Sequence, residues 1–161
     1  LINFVFFWKI MEFNSTSETD TYNIGKKIAS NLSIGDVVAF YGDLGSGKTA
    51  MIKGICDYFD VEEIVVSPTF TIINRYEGKE KNIPITIYHI DLYRIESDKE
   101  LQEIGFSEYL NDTNAIKLIE WADRTNLIND SAIRIIIKPD KSNDNYRKIT
   151  VENLNEILNE A

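Results

Sequence analysis

Residues Gly42 to Thr49 read GDLGSGKT, a complete G-x-x-x-x-G-K-[ST] phosphate-binding loop. The chemistry it implies is electrostatic. Gly42, Gly45 and Gly47 let the backbone curl so that successive N–H groups, Asp43, Leu44 and Ser46 included, face one concavity suited to phosphate oxygens. Lys48, expected to be exposed in the loop without ligand, would reach the β- and γ-phosphates, and the Thr49 hydroxyl would take one position on Mg²⁺. With Gly at roughly 7% of residues, a chance match arises in about 1 random chain in 200. The flanks decide against chance. Asp36–Tyr41 (DVVAFY) is short, apolar and β-prone, and Lys48–Phe59 places Met51, Ile52, Ile55 and Phe59 on one helical face. Strand, loop and helix is the context the motif needs, with Ala50 in the first turn and the helix N-terminus aimed at the anion.

A phosphate loop alone hydrolyses nothing, because the metal needs a carboxylate and water needs positioning. Two apolar runs end in an acid: Ile85–Asp91 (ITIYHID) in Asp91 and Ala115–Glu120 (AIKLIE) in Glu120. Ligands of open α/β sheets sit beyond the carboxyl ends of strands, so both acids are candidates. Either alone could equally mark where the chain re-enters water. The pair, with Tyr93 and Trp121 nearby, favours function, and which acid touches the metal stays open. Ser67-Pro68-Thr69 reads either as a switch whose Thr69 hydroxyl senses metal or phosphate, or as a plain turn; on spacing alone the turn prevails. His89, the single histidine, shares a strand face with Asp91 and reads as a hydrogen-bonded core residue.

The elements that must position these groups follow from periodicity. A helix is expected over Ser15–Asn31, with Ser17 and Asp20 as an N-terminal capping arrangement. Strands are expected over Phe70–Tyr76 and Ile83–Asp91 around a polar turn at Glu77–Asn82, and then helical spacing over Asp98–Leu110. Ala115–Trp121 and Ile133–Lys138 read as strands, Pro139–Asn145 as a turn, Lys148–Val151 as a strand and Leu154–Leu158 as a short helix. Helices interleaved with strands and hairpins make an α/β fold with a central mixed β-sheet flanked by helices, the P-loop NTPase arrangement.

The 161 residues suit one domain, taken as 11–161. The first ten, LINFVFFWKI, are expected to be an extension outside the fold rather than an edge strand. Their apolar run is far short of the about 20 residues that span a bilayer, and they lack the basic flank and cleavage site of a secretion signal. No membrane association is expected. The net charge of −9 argues against a self-sufficient nucleic-acid binder. One cysteine, Cys56, reads as core and fits a reducing cytoplasm.

Four segments in order, GDLGSGKT at Gly42, SPTFTIIN at Ser67, YHIDLYRIES at Tyr88 and LIEWADR at Leu118, go beyond a generic phosphate-loop protein. Together with SETDTYNIGKKIA and ELQEIGFSEYL, their order and spacing resemble the bacterial ATPase family of tRNA threonylcarbamoyladenosine biosynthesis, TsaE. The resemblance covers nearly all of Ser15–Trp121. It implies ATP and Mg²⁺ as cofactors, with Lys48 and Thr49 on phosphate and metal, and Asp91 as the metal-associated acid. It further implies Glu120 and Trp121 in catalysis and nucleotide-dependent partner contact, Thr69 as the switch hydroxyl and Thr21 near the adenine pocket. The implied partners are a threonylcarbamoyl transferase and its pseudo-enzyme companion, with any tRNA contact secondary. Ala50 stands where the family commonly has a second Thr, and Ala122 replaces a proline after the tryptophan. The rival readings are a small-molecule kinase and a nucleotide-dependent binding module without turnover. The arginines (Arg75, Arg94, Arg124, Arg134, Arg147) are scattered, with no cluster that reads as a kinase lid. A GTPase fits less well, since the guanine signature Asn-Lys-x-Asp is absent.

Overall fold

The structure is a computed structural model that describes residues 10–140 and 142–154. Twelve elements lie among them: β1 (Met11–Ser15), α1 (Glu18–Ala29), β2 (Val37–Tyr41), α2 (Lys48–Tyr58), β3 (Ile73–Glu80), β4 (Ile83–Asp91), α3 (Asp98–Glu103), α4 (Phe106–Leu110), β5 (Ala115–Glu120), a 3₁₀ turn (Ala122–Arg124), β6 (Ile133–Asp140) and β7 (Asn143–Glu152). The strands form one seven-stranded sheet in the order β1-β7-β6-β2-β5-β4-β3. The four central strands run parallel, while β3 and β7 run antiparallel to their neighbours β4 and β6. The sheet is therefore mixed in direction, as expected.

Both faces of the central strands are covered, and their sequences show it. All six residues of β5 are buried, the apolar Ala115, Ile116, Leu118 and Ile119 together with Lys117 and Glu120, as in a parallel strand covered on both faces. One face carries Val38, Phe40, Ile87, Leu118 and Ile135 against α1 and α2. The other carries Ile90 and Ile119 against Leu101 and Phe106 of α3 and α4. Helices α1 and α2 approach closely because glycine stands at both contacts. A Cβ on Gly25 would lie 2.3 Å from the Met51 carbonyl oxygen, and one on Gly54 2.0 Å from that of Tyr22. Cys56 is fully buried in this core, as expected, and burial pushes its thiol up to about 12.

Several boundaries differ from the sequence expectations. Helix α1 begins at Glu18 and not Ser15, because Met11–Ser15 pairs along β7 as an edge strand. The Ser17 cap is present, its hydroxyl accepting from the Asp20 N–H at 3.0 Å. The polar run expected to be a turn at Glu77–Asn82 is largely strand. β3 is the far edge of the sheet, where polar side chains face water, and only Lys81 and Asn82, both at positive φ, make the hairpin turn. Pro139–Asn145 shrinks likewise, since β6 continues to Asp140 and β7 starts at Asn143. Asp98–Leu110 is two short helices that break at Ile104-Gly105. Residues 1–9 of the extension expected over 1–10, and most of the expected terminal helix at Leu154–Leu158, lie outside the described residues. Among the described residues no helix is long and apolar enough to cross a membrane.

Candidate active site

The strand order places the site. β5 lies beside β2 and β4 beside β5, all parallel, so their carboxyl ends and the loop after β2 share one edge of the sheet. Asp91 and Glu120 are register partners at the ends of β4 and β5. Two acids separated by 29 positions thus sit side by side, because each closes an apolar strand of the same parallel pair.

The loop from Gly42 feeds directly into α2 at Lys48. Gly47, at φ 110°, occupies backbone space that a side chain would strain, and a Cβ there would press 3.2 Å from Thr21 of α1. A cavity of ≈ 430 Å³ opens over this loop. It is lined by the loop residues Leu44, Gly45, Ser46 and Gly47 together with Lys48, Thr49 and Ala50. Thr21, Ser67, Thr69, Asp91, Glu120, Trp121 and Arg147 close it from the other elements. Gly42 and Asp43 do not line it; their carbonyls accept from Lys48, which does. Leu44 is the exposed tip of the loop. A second cavity of ≈ 420 Å³, at the opposite edge by Asn31, Asp36 and Asn129, brings together no comparable set of chemical groups.

Three hydrogen-bonded sets organise the cavity. The Thr49 hydroxyl donates to Glu120, 3.0 Å from Oε1 and 3.1 Å from Oε2. Asp91 Oδ2 accepts from Ser67 Oγ at 2.6 Å and Thr69 Oγ1 at 2.9 Å, while its Oδ1 accepts the Tyr93 N–H at 2.9 Å. Ser67-Pro68-Thr69 is thus more than the plain turn that spacing favoured: both its hydroxyls are anchored to a buried acid of another strand. Lys48 Nζ donates to the Gly42 carbonyl at 2.6 Å and the Asp43 carbonyl at 3.0 Å. The expectation that this lysine is exposed in the loop without ligand is corrected: only 4% of it is exposed, and the Trp121 ring covers its ammonium at 4.0 Å. Burial depresses the Lys48 pKa, and the carboxylates of Glu120, Asp91, Asp123 and Asp43 oppose that shift.

Trp121 reaches this position through a left-handed backbone, φ 57°, ahead of the 3₁₀ turn. Ala122, where the family's proline is missing, starts that turn and is buried. His89 is fully buried, and its Nε2 lies 2.7 Å from Glu120 Oε1.

One residue escaped the sequence reading. Arg147, on β7, donates from Nε to the Ser46 carbonyl at 2.8 Å across 101 residues. No motif marks it; pairing of β7 along β6 carries it there. Arg94 stacks on Phe70 at 4.3 Å and the Arg124 guanidinium lies 5.9 Å from the Trp121 ring, so three of the scattered arginines are brought near this end of the sheet.

As to fit for a divalent cation, the Thr49 hydroxyl and the Glu120 and Asp91 carboxylates are hard oxygen donors. Among the described residues no three His, Cys, Asp or Glu side chains group as a metal site. A Mg²⁺ bound partly through nucleotide phosphates needs no such cage. The Ser46 Oγ is buried in the loop without a hydrogen-bond partner among the described residues, which suits a loop built to meet a ligand.

Loop, parallel strand ends and flanking helices define an α/β protein of the phosphate-loop class. The comparisons specify it further. A family model described as "Threonylcarbamoyl adenosine biosynthesis protein TsaE" matches residues 15–149, and the chain belongs to that family. A relative in Rickettsia conorii, described as tRNA threonylcarbamoyladenosine biosynthesis protein TsaE, is 41% identical over 108 residues, 66% of this chain. The match spans 58% of that relative's length. A Bacillus subtilis relative of the same description is 35% identical over 146 residues, covering 88% of this chain and 85% of its own. The crystal structure of Bacillus subtilis YdiB superposes with a TM-score of 0.75 at 29% identity, over 92% of this chain and 88% of that one.

Proposed function

We propose that this chain is an ATPase that binds Mg-ATP over the loop from Gly42 to Thr49 and serves tRNA N6-threonylcarbamoyladenosine biosynthesis. It does so through nucleotide-dependent engagement of a threonylcarbamoyl transferase and its pseudo-enzyme companion. The observation that carries the reading is the Thr49–Glu120 bond: the hydroxyl the motif assigns to metal already lies against a buried strand-end acid. Family membership supports the pathway, and the net charge of −9 suits docking on a protein complex with tRNA contact secondary.

In this reading the loop N–H groups and Lys48 hold the β- and γ-phosphates, and Lys48 leaves its carbonyl partners to do so. Mg²⁺, when bound, neutralises charge developing on the transferred phosphoryl group. Thr49 and one or both of Asp91 and Glu120 would hold it. Glu120 also orients the attacking water. Thr69, tied to Asp91, reports the occupied state to the exposed segment around Phe70. Thr21, which lines the cavity beside Gly47, would be the residue near the adenine, a role that rests on the family resemblance.

Thin-layer analysis of γ-labelled ATP tests the activity. Release of inorganic phosphate, abolished in Lys48→Ala, is the expected outcome. A labelled acceptor would make the protein a kinase, and nucleotide binding without either product would make it a binding module.

A further inference from the structure

His89 is a buried polar group for which the proposed chemistry has so far given no use. Its ring is fully buried on the strand face that carries Ile85 and Ile87, where another isoleucine would extend the core. The imidazole is not there for packing comfort: its Nδ1 has no hydrogen-bond partner among the described residues, which costs stability in a buried site. What the ring supplies, and an aliphatic side chain cannot, is a donor to Glu120. An ionised carboxylate only accepts, so across the 2.7 Å contact Nε2 carries a proton and donates. Tyr76 packs beside the ring at 6.4 Å, and its own hydroxyl donates to the Val66 carbonyl, so a fixed neighbour limits how the imidazole can turn.

We infer that His89 is a positioning residue for Glu120: its Nε2–H holds Oε1 at 2.7 Å, the Thr49 hydroxyl reaches both oxygens at 3.0 and 3.1 Å, and Oε2, which His89 does not hold, is the oxygen left for a water in the cavity. The inference rests on Glu120 acting on water as proposed above. Glu120 otherwise has three rotatable bonds and one other side-chain partner, the Thr49 hydroxyl. Should that hydroxyl also be a ligand to Mg²⁺, as proposed above, its single O–H would be shared between two oxygens of Glu120, and His89 would supply the second, shorter bond that fixes the carboxylate.

The test uses the untagged full chain, in which His89 is the single histidine, so one ring gives the whole imidazole spectrum. Long-range ¹H–¹⁵N correlation of histidine-labelled protein should show the Nε2-protonated tautomer, with a slowly exchanging Nε2–H signal that loses protection in Glu120→Ala. In turnover assays His89→Leu should lower kcat about tenfold or more while nucleotide Kd stays within about threefold. His89→Gln, which can place an N–H at the same point, should recover most of the loss. An Nδ1-protonated tautomer overturns the inference, as does a Leu variant with wild-type kcat or a Gln variant no better than Leu. If the Leu variant fails to fold, the tautomer measurement on the wild type decides. That measurement needs neither nucleotide nor turnover, so a wild type that binds no ATP would sink the proposed function and leave this result to stand or fall separately.

Discussion

The Lys48 ammonium lies 4.0 Å from the centre of the Trp121 ring, while both carbonyls it bonds belong to the loop that precedes it. The lysine is folded back under an aromatic cover, with two of its three N–H donors on those carbonyls. In the proposed function Lys48 moves to phosphate, so the proposal predicts that nucleotide is felt at Trp121. On addition of Mg-ATP, Trp121 emission should change, in a Trp8→Phe background so that the second tryptophan does not contribute. The same titration of Lys48→Ala should give no change and a loss of affinity of about 100-fold, since charge-assisted contacts to phosphate are the strong kind. A full fluorescence response in Lys48→Ala would uncouple the two residues. Trp121→Ala should keep its melting point, the ring being only partly buried, and should fail to join the transferase and its companion in a pull-down with ATP. Normal complex formation would assign the ring to covering Lys48 alone.

Asp91 and Glu120 are register partners, but their neighbours differ, and the difference separates their expected roles. Glu120 is held by Thr49, in the first turn of α2, and by the buried His89 of β4. Asp91 is held by two hydroxyls of the Ser67–Thr69 segment. Glu120→Gln should therefore cut kcat by about 100-fold with little change in nucleotide affinity. Asp91→Asn should raise the Mg²⁺ concentration for half-maximal activity, because an amide is a poorer ligand for a hard cation. It should also increase protease sensitivity near Phe70, whose anchor is weakened. An unchanged Mg²⁺ titration would leave Glu120 as the metal acid.

Cys56 gives a pH signature that belongs to the fold. Its thiol ordinarily ionises near 9.0, and burial pushes it up to about 12 in the folded chain. Between those values the unfolded state has released a proton that the folded state keeps, so stability falls as pH rises through that window and is unaffected below it. The slope approaches about 1.4 kcal/mol per pH unit from this group. The drop in melting point from pH 8.5 to 10.5 should accordingly be larger in wild type than in Cys56→Ala. Equal slopes would show that the thiol is not held neutral. Iodoacetamide at pH 8 should label the denatured chain and spare the native one.

How much of this was legible before the fold was known varies by residue for physical reasons. The loop was legible because its glycines, Lys48 and Thr49 are contiguous and each type has one physical use there. Asp91 and Glu120 were legible as a pair because each ends an apolar run, though only the parallel pairing of β4 with β5 makes them neighbours. Ser67 and Thr69 looked like a turn, since nothing local reveals that both hydroxyls find a carboxylate two dozen residues later. The edge strands β1 and β3 were misjudged: water on one side permits polar residues in extended chain, so Glu77–Glu80 resembled a loop. Lys48 was expected in solvent because a lysine in a glycine loop gives no sign of the aromatic cover that Trp121 supplies. Arg147 was beyond reach, its role being defined by a carbonyl 101 positions away.

That arginine yields the last prediction. Its Nε donates to the carbonyl of the Ser46–Gly47 peptide, whose N–H belongs to the loop that would meet phosphate. A donor on the carbonyl fixes the plane of the peptide and polarises its N–H, since hydrogen bonds in a chain strengthen one another. The guanidinium also brings positive charge to the cavity wall. Arg147→Met, which keeps most of the stem, should weaken ATP binding by about 10-fold, in line with the roughly 1.5–3 kcal/mol range of charge-involving hydrogen bonds once solvent screening at a part-exposed site is discounted. Arg147→Lys should recover only part of the affinity, because an ammonium lacks the directed Nε–H. Adenosine, which has no phosphate, should bind both variants as it binds wild type. Should calorimetry find ATP affinity unchanged in Arg147→Met, the contact tethers β7 to the loop and has no part in holding phosphate.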